Sequence, residues 1–171
     1  MKIIRINNTS GRFALMADSA MRPDRRPLFL PQGQWRCHIR PAVRICRLGK
    51  NIAPQFVCRY YDAFALTNYL APAQTPNVDP IFDMLDDTVV LGQWIPLSEV
   101  PAQVNINGQT GRVGFDSEFI ESFIAKLTVS ATIKTGDIII LPNDIFSYTP
   151  SIGQHIDVSH DSTNLLQFNI K

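Results

Sequence analysis

The chain has 171 residues, of which 45% are hydrophobic and 18% charged, and its formal net charge is +1. That length predicts one domain, 1–171, with a full core, and the balanced charge argues against nucleic acid or an anionic membrane as a partner. No stretch reaches the ~20 apolar residues of a membrane span, and MKIIRINNTSGRF has no apolar run long enough for a secretory signal.

Lys2–Ile6 and Arg12–Met16 read as two strands around the turn material Asn7–Gly11, so a hairpin is expected. Arg22–Pro27 reads as a polar loop with a solvated arginine tip, and Leu28–Leu30 as a short strand stopped by Pro31. From Trp35 the pattern alternates, with Trp35, Cys37 and Ile39 on one face and Arg36, His38 and Arg40 on the other. Pro41 is expected to interrupt this strand at an edge or a bulge, with a change of phase before Arg44 and Arg47. Ile52–Tyr61 has room for one or two helical turns, and Ala63–Leu70 reads as a strand.

Ala71–Pro80 is a proline-rich loop, and Thr88–Pro96 a strand whose Gly92 marks a bulge. Asn107-Gly108 between Val104–Ile106 and Thr110–Val113 predicts a hairpin, because both residues tolerate positive φ. Residues 116–128 form the one clear helix, with Phe119, Ile120, Phe123, Ile124 and Leu127 on one stripe and Asp116 or Ser117 as its cap. Ile138–Leu141 reads as a buried strand, Pro142–Gly153 as a long loop, and Gln154–Ser159 and Leu165–Asn169 as closing strands. The sum is an α+β, mainly β, fold with short helices. Cys37, Cys46 and Cys58 are an odd count at spacings that match no zinc motif, which predicts buried, reduced thiols in a cytoplasmic protein.

Several stretches resemble the fumarylacetoacetate hydrolase family in the same order along the chain. They are ADSAM and RRPLFLP (17–31), VRICRLGKNIAPQF with RYYDA (43–63), FD with VVLGQWIPLSEV (82–100), VNINGQTGR (104–112), KTGDIII (134–140), and IGQHIDV with LLQFNIK to the end. The resemblance implies a mixed β-roll core, 34–171, behind a shortened N-terminal hairpin region, 1–33, in a cytoplasmic homodimer. It also implies hydrolysis, decarboxylation or tautomerisation of 2-oxo or 1,3-dicarbonyl acids on Mg²⁺ or Mn²⁺. In that chemistry three carboxylates hold the metal, which acts as a Lewis acid on an enolate.

Carried over by position, the carboxylates of the resemblance fall on His38, Arg40 and Tyr69. The substrate lysine falls on Pro80, the substrate loop on Pro142, Asn143 and Asp144, and no histidine precedes His38 to act as the lid base. A guanidinium and an imidazole are poor company for a hard cation, so no metal cofactor and no catalytic residue are expected here. The favoured reading is a non-catalytic protein with an interaction or regulatory role. One alternative is a binding module for a small anion or organic acid at His38 and Arg40, joined by Arg44 if Pro41 does not turn it away. The other is an active Mg²⁺-dependent enzyme whose ligands lie elsewhere, for instance at Asp62 or Asp83. Asp83, Asp86 and Asp87 otherwise read as a solvated acidic run, and His155 and His160 as surface residues.

Overall fold

The computed structural model describes residues 1–7, 11–73 and 80–171. In chain order the strands are β1 (Ile3–Ile6), β2 (Phe13–Met16), β3 (Met21–Pro23), β4 (Trp35–Ile45), β5 (Tyr61–Pro72), β6 (Val89–Leu91), β7 (Ile95–Pro96), β8 (Gln103–Ile106) and β9 (Gln109–Arg112). Helix α1 (Ser117–Ser130) follows, and then β10 (Ile138–Ile140), β11 (Phe146–Tyr148), β12 (His155–His160) and β13 (Thr163–Asn169). Short 3-10 turns cover Asp18–Ala20, Pro54–Arg59, Pro80–Met84 and Leu97–Glu99.

A large mixed sheet runs β2-β1-β10-β4-β5-β6-β3, with β11 also on β4 and β7 also on β5. Two of its pairs, β1 with β10 and β3 with β6, are parallel. A second, antiparallel sheet runs β13-β12-β8-β9. The expected α+β, mainly β, class is what the chain adopts.

The core is built from strand alternation. Cys37 and Ile39 of β4 and Phe64, Leu66 and Leu70 of β5 pack on Val104, Ile106, Val158, Leu166 and Phe168 of the second sheet. Further along the same face of β4, Val43 and Ile45 meet Ile4, Ile6, Ile139 and the buried stripe of α1. That helix starts where its cap residue predicts, since Asp116 Oδ1 accepts the Phe119 N–H at 3.1 Å and satisfies one orphan donor of the first turn. The opposite sheet face carries a smaller cluster of Ile3, Met16, Ala42, Tyr69, Val89, Ile138 and Ile140.

Pro41 does not interrupt β4. The strand runs 11 residues through it and stays in register with β5 from Trp35↔Pro72 to Arg44↔Ala63. The reason lies on the other side of β4, where β10 covers Ala42–Arg44 and β11 covers Cys37–Ile39. Pro41 sits in the gap between them and accepts the Leu141 N–H through its carbonyl, so its missing N–H removes no ladder bond. With no phase change, Arg36, His38, Arg40, Ala42 and Arg44 share one face.

Other expectations are corrected by long-range pairing. Phe146–Tyr148, read as loop, is β11, and Tyr148 Oη donates at 3.0 Å to Asn68, whose amide donates to the Cys37 thiol at 3.4 Å. Arg22, read as a solvated tip, is 8% exposed in β3. Leu28–Leu30 forms a single bridge to Ile170 rather than a strand. The strand expected over Thr88–Pro96 splits into β6 and β7 at Gly92, where a Cβ would lie 2.2 Å from Leu165 O and 2.9 Å from Leu66 O. Of the thiols expected to be buried, Cys37 is, Cys46 is half-buried and Cys58 is exposed. The 107–108 turn matches its motif, with φ of 48° at Asn107 and 88° at Gly108. Among the described residues no helix is long and apolar enough to cross a membrane.

Candidate functional site

His38 and Arg40 leave β4 on the same face, two residues apart. β5 places Tyr69 directly opposite His38 and Thr67 opposite Arg40. The three positions singled out by the resemblance are therefore neighbours in space. The His38 and Tyr69 rings stack, with centroids 6.3 Å apart and planes 30° from parallel.

The substrate-loop positions contribute one residue to this group. Asp144 lies in the connection between β10 and β11, and Ile145 anchors that connection by donating its N–H to Ile39 O at 2.8 Å. Asp144 Oδ1 accepts the Arg40 Nε–H at 2.5 Å, and Oδ2 meets His38 Nδ1 at 2.7 Å. One carboxylate thus spans both residues that stand on the carboxylate positions of the resemblance. Arg40 Nη1 also reaches the Ile6 carbonyl at 3.4 Å, which fastens it to β1. Pro142 is half-buried. Asn143 is exposed and lies against Gly114, where an added Cβ would stand 3.3 Å from its amide nitrogen. The backbone of Pro80 opens the 3-10 turn Pro80–Met84, and its side chain lies outside the described residues.

The electrostatics follow from this geometry. Burial raises the Asp144 carboxyl, but the His38 hydrogen bond and the Arg40 charge outweigh it and hold the group below the usual carboxylate value. Burial pushes the Tyr69 phenol up, against the lowering influence of Arg5 and Arg40. Tyr69 stays a neutral phenol at neutral pH and supplies no anionic oxygen.

Arg5, which the sequence pattern did not single out, and Asp83, named there only as an alternative metal ligand or part of a solvated run, complete the group. Arg5 of β1 holds its guanidinium 4.5 Å from the centre of the Tyr69 ring. Its Nη2 donates to Asp83 Oδ1 at 2.5 Å and its Nη1 to Asn7 Oδ1 at 2.6 Å. Asp83, read as part of a solvated acidic run, is 8% exposed. Strand periodicity puts Arg5 on the opposite face from Ile4 and Ile6, which is a signal for a buried or paired arginine. Nothing local identifies Asp83 as its partner. Arg44 shares the face of His38 and Arg40, but Asp62 holds it through two 3.0 Å hydrogen bonds, and its guanidinium lies 5.5 Å from the Trp94 ring centre.

The donor set is the wrong chemistry for a hard divalent cation. Mg²⁺ and Mn²⁺ take several oxygen ligands, and the three positions on which the resemblance would place them carry an imidazole, a guanidinium and a neutral phenol. The carboxylates of Asp144 and Asp83 in this group are bound to Arg40 and Arg5. Among the described residues no three His, Cys, Asp or Glu side chains converge. In this arrangement each guanidinium faces one carboxylate, Arg5 Nε is left without a hydrogen bond, and the Tyr69 ring contacts both Arg5 and His38.

No protein-family model matches the sequence, and no curated protein matches it. Solved structures do match it over nearly its full length. A Yersinia pestis CO92 protein assigned to the fumarylacetoacetate hydrolase family superposes with a TM-score of 0.75 at 16% identity, over 99% of this chain and 93% of that one. The 5-carboxymethyl-2-hydroxymuconate delta-isomerase of Mycobacterium smegmatis gives 0.78 at 14% identity, over 99% and 76%. The maleylpyruvate hydrolase of Sphingobium sp. SYK-6, solved with manganese(II) and pyruvate, gives 0.75 at 19% identity, over 99% and 69%. The chain has the fold of the fumarylacetoacetate hydrolase-like proteins.

Proposed function

We propose that this chain is a non-catalytic relative of the fumarylacetoacetate hydrolase-like enzymes, with an interaction or regulatory role. In this reading a part-buried ion-pair network, joined by the exposed Asp144, stands where those enzymes hold their metal. The observation that carries it is the Asp144 carboxylate bound to Arg40 Nε at 2.5 Å and to His38 Nδ1 at 2.7 Å. An enzyme of this class needs a cation to stabilise an enolate. Here a fixed guanidinium occupies the position and its charge is already neutralised. The network serves the fold, tying the β10–β11 connection and β1 to β4.

The test is a thermal-shift titration of metal-stripped protein with Mn²⁺, oxalate and phosphate, singly and together. A one-site ligand at ~100 times its dissociation constant adds about 2.7 kcal/mol, which is readily seen. The expected result is no rise in the melting temperature with any of them. A rise with Mn²⁺ that oxalate increases would overturn the reading in favour of a metal-dependent enzyme. A rise with oxalate or phosphate alone, lost in Arg40→Ala, would replace it with an anion-binding module.

A further inference from the structure

β2 is the outermost strand of the large sheet, and one of its main-chain edges is open. Asn7 N–H donates to Arg12 O at 2.7 Å, so Arg12, Ala14 and Met16 direct their main-chain groups to β1. Phe13 and Leu15 turn their N–H and C=O groups outward, with no strand beyond them among the described residues. Their side chains share the sheet face of Ile6 and Ile4, their partners on β1, which is the face that α1 covers. Phe13 is nevertheless 44% and Leu15 58% exposed. Phe13 packs edge-on against Phe123 and, with Phe119 and Leu127, lines a groove of about 460 Å³ between β2 and α1. Lys126, exposed, is the charged residue of that lining among the described residues. Arg12, also exposed, stands on the other face of β2. Neither cation belongs to an ion pair among the described residues.

We propose that this edge and groove dock an extended, acidic segment of another protein, which joins the sheet as a strand beyond β2. An open edge with exposed apolar side chains is a template for such a strand. Antiparallel pairing is the more stable per residue, and it gives about four main-chain hydrogen bonds to Phe13 and Leu15. In that direction the segment reads, from its N-terminus, apolar, any, apolar, acidic, acidic. The first apolar residue stands opposite Leu15 and the second opposite Phe13, both on the α1 face, where the cross-strand pairs shield these side chains from water. The first acid falls on the other face, opposite Arg12. The second returns to the α1 face at the Gly11 end of the groove, whose lining includes Lys126. A helix laid in the groove would leave the outward main-chain groups unmatched, and a basic segment would meet two like charges. The surface gives the interaction role a partner chemistry, and it stands whether or not the His38–Arg40 group is catalytic.

The test measures, by fluorescence anisotropy, the binding of a fluorescein-labelled peptide, Thr-Ile-Thr-Val-Glu-Glu-Thr. Wild-type protein is expected to bind it saturably. N-methylation of the Ile and Val amides, which face β2, should abolish binding. N-methylation of the Thr between them, whose amide faces away, should change the affinity by no more than about twofold. Leu15→Lys, shown to be folded by its melting temperature, is expected to weaken binding about tenfold. Lys126→Glu should weaken it as well and should shift the preference toward a peptide with Lys-Lys in place of Glu-Glu. No saturable binding, equal binding of the two N-methylated peptides, or undiminished affinity in Leu15→Lys overturns the proposal. So does a wild type that prefers the Lys-Lys peptide, or one that sediments as a dimer and binds no peptide because a second copy covers the edge.

Discussion

Asp144 and Arg40 are 104 residues apart in the chain, and Asp144 Oδ1 accepts the Arg40 Nε–H at 2.5 Å. Arg40 is 9% exposed, so this carboxylate is what makes its burial tolerable.

Removing the carboxylate should leave the guanidinium buried and uncompensated. Asp144→Ala is expected to destabilise the protein by about 2–4 kcal/mol, and Arg40→Met by less, because it removes the buried charge rather than stranding it. A double-mutant cycle of the two in urea unfolding should give a coupling energy of about 1–2 kcal/mol. A cycle that sums to zero would mean the pair contributes nothing.

The same contact sets a pH dependence. The Asp144 carboxyl has a folded value below its ordinary 3.8. A depressed carboxyl contributes stability that is present above the unfolded value and is lost as pH falls through the folded one. Wild-type protein should therefore lose stability as pH falls from about 4 downward, and Asp144→Asn should lose less over that interval. Parallel acid-denaturation profiles for the two proteins would count against the contact.

The two remaining arginine–aspartate pairs on this face differ in exposure and should differ in worth. Arg5 and Asp83 have side chains 10% and 11% exposed, Nη2 makes the contact, and Arg5 Nε is buried without a hydrogen bond. Asp83→Ala is expected to cost about 3–5 kcal/mol. Arg44 and Asp62 are 40% and 43% exposed despite their bidentate geometry, and Asp62→Ala should cost under about 1 kcal/mol. Chemical denaturation of both variants decides the ranking.

Gly92 should be the least replaceable glycine. Both atoms that a Cβ would strike are backbone carbonyl oxygens of other strands, Leu165 O at 2.2 Å and Leu66 O at 2.9 Å. Gly92→Ala is expected to cost about 3 kcal/mol or more, because two sheets must separate locally. Gly108→Ala has open space and meets only the strain of its φ of +88°, about 1 kcal/mol. Melting temperatures of the two variants, with equal values as the adverse outcome, test this.

Local patterns in the sequence determined much of this protein. Short apolar and β-branched stretches bounded by turn residues placed β1, β2, β5, β12 and β13, and period-two alternation placed the face shared by His38 and Arg40. Period 3.6 with Asp116 placed α1, and Asn107-Gly108 placed the β8–β9 hairpin. These rest on interactions within a few residues, which is why they are readable from the chain. Tertiary structure decided the rest. Only the positions of β10 and β11 beside β4 make Pro41 harmless and keep Arg44 in phase with Arg40. Only β11 docking turns 146–148 from loop into strand, and only the approach of 80–84 to β1 and β2 buries Asp83 against Arg5. The ion pairing of Arg40 by Asp144 belongs to this second class. A charge's partner is chosen by distance in space, and residues 104 apart carry no mark in sequence of the contact they will make.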